Sequence, residues 1–539
     1  MSASQKAKEA AKASAAAFAA AAGPWADRAG LLEAEELVQA CTPGVDLLVM
    51  RAPLRTAALF AEELRAAARH AQLPDSLLLP LGSGMWVLRH PGAARGDGRA
   101  ADARAALVAT LPILAGVRLH LRIEASAACG SSLLEAVRAS PPARSHAHWS
   151  LHYEQHFPSG DHAQLPFVAV CSAPSLAIGL HGALGGGYCS ALASHGAVEG
   201  ASPVDEFVLL ETKHAVLLCR QLPLPRPPPH EGGAGGPAPP LPLNGVTGAT
   251  STLDADEHAT SDAAVIAGQK RQRDRARGMD GTCSSDDIAR TSAGEAAGET
   301  AGEAVDVDDP NRASDGGGGG KSALPWWIGA WERRGFDFSA SLDPLVAIAA
   351  INLAAFAHVA AERPDEATRS PDSSLRSLRS LRSLAVYDPC CGSGTVLAAG
   401  AALGHRVRGS DLRAEFIRRA ASNLSGAGIA APDAMDVLDA TEMVPPPPGA
   451  PPPAELVVSN PPWGKNFGAA EDGAKIVDAV LRAHIGPART TLCLLVNATA
   501  LAAAVATPGV ALRAHVRLGG VEVVLLQTAP DGSAPLPTS

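Results

Sequence analysis

The chain has 539 residues, too many for one ordinary core, so two or more domains with connecting material are expected. Its formal net charge of −10 excludes a protein that coats nucleic acid by bulk electrostatics, although a local basic groove remains open. The nine cysteines (Cys41, Cys129, Cys171, Cys189, Cys219, Cys283, Cys390, Cys391, Cys493) include no CxxC pair, which excludes zinc-ribbon spacing and a small disulfide framework and points to a reducing, cytoplasmic setting.

Residues 1–30 form an Ala-rich tail with Lys6, Lys8, Lys12 and Glu9; it lacks the apolar core of a secretory signal, while an organellar transit peptide stays open. From residue 31 to residue 222, short apolar runs alternate with helical patterns and predict a smaller α/β domain. Val45–Met50 and Gly116–Ile123 read as strands and Ala57–Arg69 as a helix. Phe167–Cys171 reads as a further strand, and Phe207–Glu211 with Ala215–Cys219 reads as a hairpin around Thr212–His214. His146, His148, His152, His156 and His162 cluster as metal ligands would, but Trp149, Leu151 and Tyr153 alternate with them. A half-buried strand accounts for that pattern more simply, and no metal is predicted.

Over 223–322 the composition turns to Pro, Gly, Ala and short acidic units with almost no large apolar residue. Such a stretch cannot bury enough surface to offset its ordering entropy, so a disordered tether is predicted. Within it, Lys270–Arg277 reads either as a nuclear-import or nucleic-acid contact or as a solvated charge run. Trp326 and Trp327 then either stack on bases or anchor the next domain, predicted over 323–530 with a tail at 531–539. Arg333 and Arg334, with Lys465, are candidates for phosphate contact or for plain surface charge. The apolar run Leu345–Ala361 is interrupted by Asn352 and His358, so a buried helix is predicted and no membrane partner.

Ser374–Leu384 repeats Ser-Leu-Arg and reads as a basic loop. The short strand Leu384–Tyr387 runs into Asp388-Pro389-Cys390-Cys391-Gly392-Ser393-Gly394-Thr395, and Val396–Leu403 is helical in composition. Glycines at 392 and 394 let backbone approach a ligand, and the helix start offers N–H groups. The next strand, His405–Gly409, ends at Asp411 and Leu412, about 20 residues on, where a doubly wound fold places an acid on ribose hydroxyls. The turn reads GxGT, not the dinucleotide GxGxxG. A third strand, Ala434–Leu438, closes on Asp439-Ala440, where a carboxylate can accept from an adenine amino group; Asp436 is the alternative acid.

The fourth strand, Glu455–Ser459, delivers Asn460-Pro461-Pro462-Trp463. An amine on an aromatic ring is a poor nucleophile because its lone pair is delocalised. The Asn460 amide oxygen and the Pro461 carbonyl can each accept one N–H, drawing the nitrogen toward tetrahedral geometry and aiming its lone pair at an electrophilic methyl carbon. Pro461 and Pro462 fix the backbone, and Trp463 offers a flat face for an extruded base. Cys390 and Cys391 stand in the cofactor turn, not in this loop, and read as packing residues.

Together DPCCGSGT, Asp411 and SNPPWGKNFG resemble the class I amino-methyltransferases acting on RNA, most narrowly the THUMP-associated tRNA guanine-N2 methyltransferases, from about Phe336 to Gln527. The segment Phe338–Pro344, continuing into Ile351–Ala354, resembles the helix that in this family lines the methionine end of the cofactor pocket. That makes Ser339, Ser341 and Asp343 pocket candidates, and Gly464 and Lys465 also fit the family. Pro203–Glu211 with Ala215–Arg220 resembles the closing hairpin of a THUMP-like module.

The resemblance implies a Rossmann-like α/β fold, a mostly parallel seven-stranded sheet with an antiparallel C-terminal strand. S-adenosyl-L-methionine is the implied cofactor, held by Asp388, Cys390, Gly392, Gly394, Thr395, Asp411, Leu412, Asp439, Ala440 and Asn460 with Ser341 and Asp343. tRNA or another structured RNA is the implied partner, with a small activating protein subunit as a second one. The family usually carries Tyr or Phe where Trp463 stands, and an initial Asn is shared with adenine-N6 and glutamine-N5 methyltransferases, so those targets stay open. A non-catalytic subunit that keeps the fold as a scaffold is a further alternative, but it has no chemical need for both Asp411 and Asn460–Trp463.

Overall fold

A computed structural model describes residues 41–50, 56–82, 85–90, 98–127, 130–145, 148–156, 180, 182–184, 204–212, 216–222, 325, 327–337, 341–362, 381, 383–444, 454–462, 470–486, 488–518 and 521–528. The expected strand Phe167–Cys171, the tether, the basic run Lys270–Arg277 and the Ser-Leu-Arg repeat up to residue 380 lie outside these residues.

In the N-terminal part, β1 (Asp46–Met50), β2 (Leu78–Gly82), β3 (Met85–Leu88), β4 (Val117–Ala127), β5 (His148–His156), β6 (Val204–Thr212) and β7 (Val216–Gln221) form one sheet in the order β2-β3-β1-β4-β7-β6-β5. All neighbours are antiparallel except β5 and β6. The hairpin expected near Thr212–His214 is β6–β7, with Leu209 opposite Leu218. His148, His152 and His156 lie on strand β5, where Trp149 buries completely against Phe207 as the period-2 pattern required; His146 and His162 lie outside the described residues.

Alternate residues of this sheet serve different layers. Leu47, Val49, Leu121, Ile123, Leu210 and Leu217 pack together on one face. Leu48 and Met50 point the other way, toward α1 (Ala57–His70) and α2 (Gly98–Thr110), while α3 (Gly130–Ala139) covers Leu209 and Leu218.

The C-terminal part begins with α4 (Ile328–Glu332) and α5 (Pro344–Glu362). It continues through β8 (Ala385–Asp388), α6 (Thr395–Ala402), β9 (Arg406–Asp411), α7 (Ala414–Gly426) and β10 (Ala434–Val437). β11 (Leu456–Ser459), α8 (Ala470–His484), β12 (Thr491–Val496), α9 (Ala498–Ala506), β13 (Val510–Leu518) and β14 (Val521–Thr528) complete it. The sheet order is β10-β9-β8-β11-β12-β14-β13, and only β14 runs antiparallel to its neighbours. This is the Rossmann-like α/β arrangement expected.

Strands β8, β11 and β12 are short apolar runs because both faces are covered, while β10 at the edge and β9 beside it keep exposed positions. Val386, Leu456, Val458 and Cys493 face the layer of α5 and α6; Tyr387, Val457, Leu492 and Leu494 face α8 and α9. Strand order reverses between β8 and β11, and in open α/β sheets the crevice at such a switch point, beyond the carboxyl ends of the strands, is where ligands bind.

The sequence treats the two α/β parts as bodies joined by a tether, whereas in the structure they share a core. Leu59, Phe60 and Leu64 of α1 join Ile348, Ile351, Phe356 and Val359 of α5 in one apolar cluster, which also takes in Trp327 and Trp331. α5 is long and apolar enough to cross a membrane, but 72% of that span is buried inside the protein. Asn352, the polar break in its apolar run, is 3% exposed and donates to Glu63 Oε1 at 2.7 Å and to the Ile113 carbonyl at 2.8 Å. Glu63, fully buried, also accepts from the Ala115 and Gly116 N–H groups, each at 2.9 Å. A buried polar group needs partners, and here two from opposite parts of the chain satisfy each other.

Candidate active site

β8 ends at Asp388, whose carboxylate is 2% exposed. Its Oδ1 accepts from Ser459 Oγ at 2.7 Å and from the Cys390 N–H at 3.0 Å, so it links the ends of β8 and β11 to the start of the Gly-rich turn. Burial pushes the Asp388 carboxyl up to about 7; the two hydrogen bonds oppose that rise and the Asp411 carboxylate adds to it.

The turn is held by backbone bonds, to itself and to β9, and by the Asp388 and Asp411 carboxylates. Cys391 N–H donates to the Ser410 carbonyl at 2.9 Å, and Gly394 N–H to the Cys391 carbonyl at 2.7 Å. Gly392 and Gly394 have φ of +51° and +90°, a region in which a side chain is strained. A Cβ on Gly394 would also stand 3.2 Å from the Ala420 Cβ of α7. Thr395 begins α6, is buried, and lies 3.2 Å from the Ser393 hydroxyl.

Asp411, at the end of β9, divides its oxygens: Oδ2 accepts from Gly392 N–H and Oδ1 from Arg413 N–H, both at 3.0 Å. The expectation that the turn offers its N–H groups to a ligand is therefore modified at Gly392, whose N–H is already committed to Asp411. Each carboxylate oxygen accepts more than one hydrogen bond, so Asp411 keeps acceptor capacity for a ribose diol while holding the turn.

The next residue, Leu412, is 64% exposed, and Leu438 beyond β10 is 37% exposed; Leu438 N–H bonds the Asp411 carbonyl at 3.1 Å. Two apolar side chains left in solvent at adjoining strand ends form an apolar rim of the kind a purine face covers. Asp439 follows, its Oδ1 accepting from Thr441 N–H at 2.8 Å and Thr441 Oγ1 at 2.7 Å, which holds its pKa below the usual carboxylate value. Ala440 is buried behind it. Asp436, the alternative acid, instead faces Arg408 across the surface at 4.0 Å.

Ser459 leads into Asn460, which is half-buried, then buried Pro461 and half-buried Pro462. Because β11 pairs directly with β8, these residues emerge beside the Asp388 turn. Trp463, Gly464, Lys465 and Ser339 lie outside the described residues. Ser341 is half-buried just ahead of α5. Asp343 is exposed and spends Oδ1 capping α5, accepting from Leu345 N–H at 2.8 Å and Val346 N–H at 3.3 Å.

The Cys390 and Cys391 thiols are pushed well up by burial and by the carboxylates of Asp388 and Asp411, so they stay protonated at neutral pH and pack rather than attack. Trp327 is 1% exposed and edge-on to Trp331, which settles it as an anchor. Arg334 lies over Trp331 and pairs with Asp337.

Sequence reasoning passed over Asn423. Its Nδ2 donates to the Ser393 carbonyl at 3.0 Å and to the Phe336 carbonyl at 2.9 Å, and its Oδ1 accepts from Phe336 N–H at 3.2 Å. The signal was an Asn on the apolar side of an amphipathic helix, beside Ala420 and Leu424.

Residues 379–507 match the family model described as UPF0020: RMKL-like, methyltransferase domain. The domain is a methyltransferase. Its methyl donor is S-adenosyl-L-methionine, and the apolar rim at Leu412 and Leu438, the acceptors Asp411 and Asp439 and the close-packed turn fit the adenine, ribose and main-chain parts of that molecule. No curated protein matches the chain. Among solved structures, it is similar to TrmN from Thermus thermophilus at 16% identity and TM-score 0.40, covering 90% of this chain and 99% of that one. It is also similar to a possible methylase from Clostridium difficile 630 at 10% identity and TM-score 0.36, covering 92% and 99%. A third is a predicted N6-adenine-specific DNA methylase from Listeria monocytogenes str. 4b F2365, at 12% identity and TM-score 0.36, covering 89% and 95%.

Proposed function

We propose that this protein transfers a methyl group from S-adenosyl-L-methionine to the exocyclic amine of a base in RNA, with guanine N2 in tRNA as the target. The observation that carries the reading is the Ser459–Asp388 hydrogen bond, because it fixes Asn460 and Pro461 next to the turn that would hold the donor. When bound, the donor supplies an electrophilic methyl carbon on a sulfonium. The residues of this chain do the rest. Asn460 and the Pro461 carbonyl accept the two amine hydrogens and turn the lone pair out of conjugation, while Pro461 and Pro462 hold those acceptors without further ordering cost. The alkylated nitrogen loses its proton readily because the ring reclaims the lone pair, so no strong base is required. Asp411 and Asp439 orient the nucleoside part, and the N-terminal part, fixed through α1 on α5, presents the RNA.

A second reading, an adenine-N6 amine or a glutamine amide, rests on Asn460, since the family of the first reading includes members that begin this motif with Asp. Incubation of the purified protein with methyl-labelled donor and total RNA, DNA or protein, followed by digestion and separation of the products, decides between them. N2-methylguanosine from the RNA arm is the expected product. Label confined to N6-methyladenine or to methylglutamine would replace the proposal by the second reading.

A further inference from the structure

The sequence has an acidic excess, yet arginines gather beside the mouth of the cofactor crevice. Arg419 lies over the Phe336 ring at 4.6 Å, Phe336 meets Phe416 at 5.3 Å, and Arg413 lies over Phe416 at 5.1 Å. The result is a row of four contacting groups, guanidinium, ring, ring and guanidinium, with the two rings tilted by 47°. Its supports lead into the crevice: Asn423 joins Phe336 to the Ser393 carbonyl, and the Arg413 N–H is bonded to Asp411. α4 and α7 pack together beneath it through Ile328, Trp331, Ile417 and Leu424, which brings Arg333 to the same side as α7.

Glu415 neutralises Arg419. Arg333 and Arg418 are exposed and have no carboxylate partner among the described residues. Exposed guanidinium groups without a carboxylate partner, next to others held on aromatic faces, suit one kind of occupant better than any other. Phosphate oxygens take guanidinium forks in pairs, and stacking holds those forks in place so that less rotamer entropy is lost when they bind.

We propose that Arg413 and Arg419, held against Phe416 and Phe336, form together with the exposed Arg333 and Arg418 a docking surface for the phosphodiester backbone of the RNA substrate as it enters the site. This rests on the RNA reading above, and the test separates the two. Binding of fluorescein-labelled tRNA to the full chain is measured across a potassium chloride series. The Arg333→Ala/Arg418→Ala double variant is compared with wild type and with an Arg482→Ala/Arg517→Ala control that removes the same charge from exposed positions elsewhere.

The surface predicts that the slope of log affinity against log salt falls by between about 1 and 2 in the first variant and stays at the wild-type value in the control. Equal slopes in both variants, or a wild type that binds no tRNA, would overturn it. Thermal unfolding and donor-product binding by calorimetry, expected unchanged because both side chains are exposed, confirm that the variant is folded; if it is not, Arg418→Gln alone takes its place. A wild type that binds tRNA with the predicted slopes but methylates none of it would remove the RNA-methylation reading and leave the surface standing. An acidic protein as the true occupant would show as an unaltered tRNA slope, which overturns the proposal.

Discussion

Replacing Asn352 by Leu tests whether the two sheets are held as one body. The wild-type amide is 3% exposed and places its donors on Glu63 Oε1 at 2.7 Å and on the Ile113 carbonyl at 2.8 Å. Leucine is close in volume, so the substitution removes polar contacts without opening a cavity. One lost bond is to a fully buried carboxyl and the other to a backbone carbonyl, together worth about 3 kcal/mol. For a protein of this size that is a fall in unfolding midpoint of about 3 °C. The assay is thermal unfolding of wild type, Asn352→Leu, Glu63→Gln and the double variant. Because both side chains act through the same contact, the two losses should fail to add by about 0.5 kcal/mol or more, the size expected for direct neighbours. An Asn352→Leu midpoint within a degree or so of wild type, or losses that simply add, would refute the bridge.

The remaining predictions concern the crevice. Gly394→Ala places a side chain at φ +90° and 3.2 Å from Ala420, so donor affinity should fall sharply in calorimetry while the far-ultraviolet spectrum is kept. Leu412→Ala removes an apolar side chain that is 64% exposed, so unfolding should be unchanged, but donor affinity should drop about tenfold if an adenine covers it. The Asp388 pKa of about 7 lies above its unfolded value, so the native state binds the extra proton between the two. Its contribution is full below the unfolded value near 4 and is lost as pH rises toward 7. Asp388→Asn should therefore flatten the pH dependence of the midpoint over that window; an unchanged profile contradicts the assignment.

What the sequence made legible follows from how each element buries its residues. Strands β8 and β11 are covered on both faces and read as short apolar runs, and the β6–β7 hairpin has apolar strands on both sides of its turn. The hairpin of β2 and β3 passed unread, because Pro80 and Gly82 break its pattern. α7 and α8 went unremarked because their polar faces outweigh the apolar stripe in composition. In the site, residues whose chemistry is carried by type and spacing, such as Asp388, Asp411 and Asn460, were visible. Ser459 and Asn423 were not, since they act only through contacts to Asp388 and Ser393 that come from other strands and turns. Asn352 was visible as a polar break in an apolar helix, but its partner Glu63 lies far away in sequence and only the fold joins them.

The central claim is that the end of β11 supplies the acceptors that activate an amine beside the donor. Single-turnover methyl transfer to tRNA by Asn460→Ala, with donor binding measured on the same sample, tests it most directly. The account predicts transfer slower by about 100-fold or more, the size of losing one preorganised polar contact at a reacting group, with donor affinity within a few-fold of wild type. Transfer at the wild-type rate, or loss of donor binding in step with activity, would contradict it.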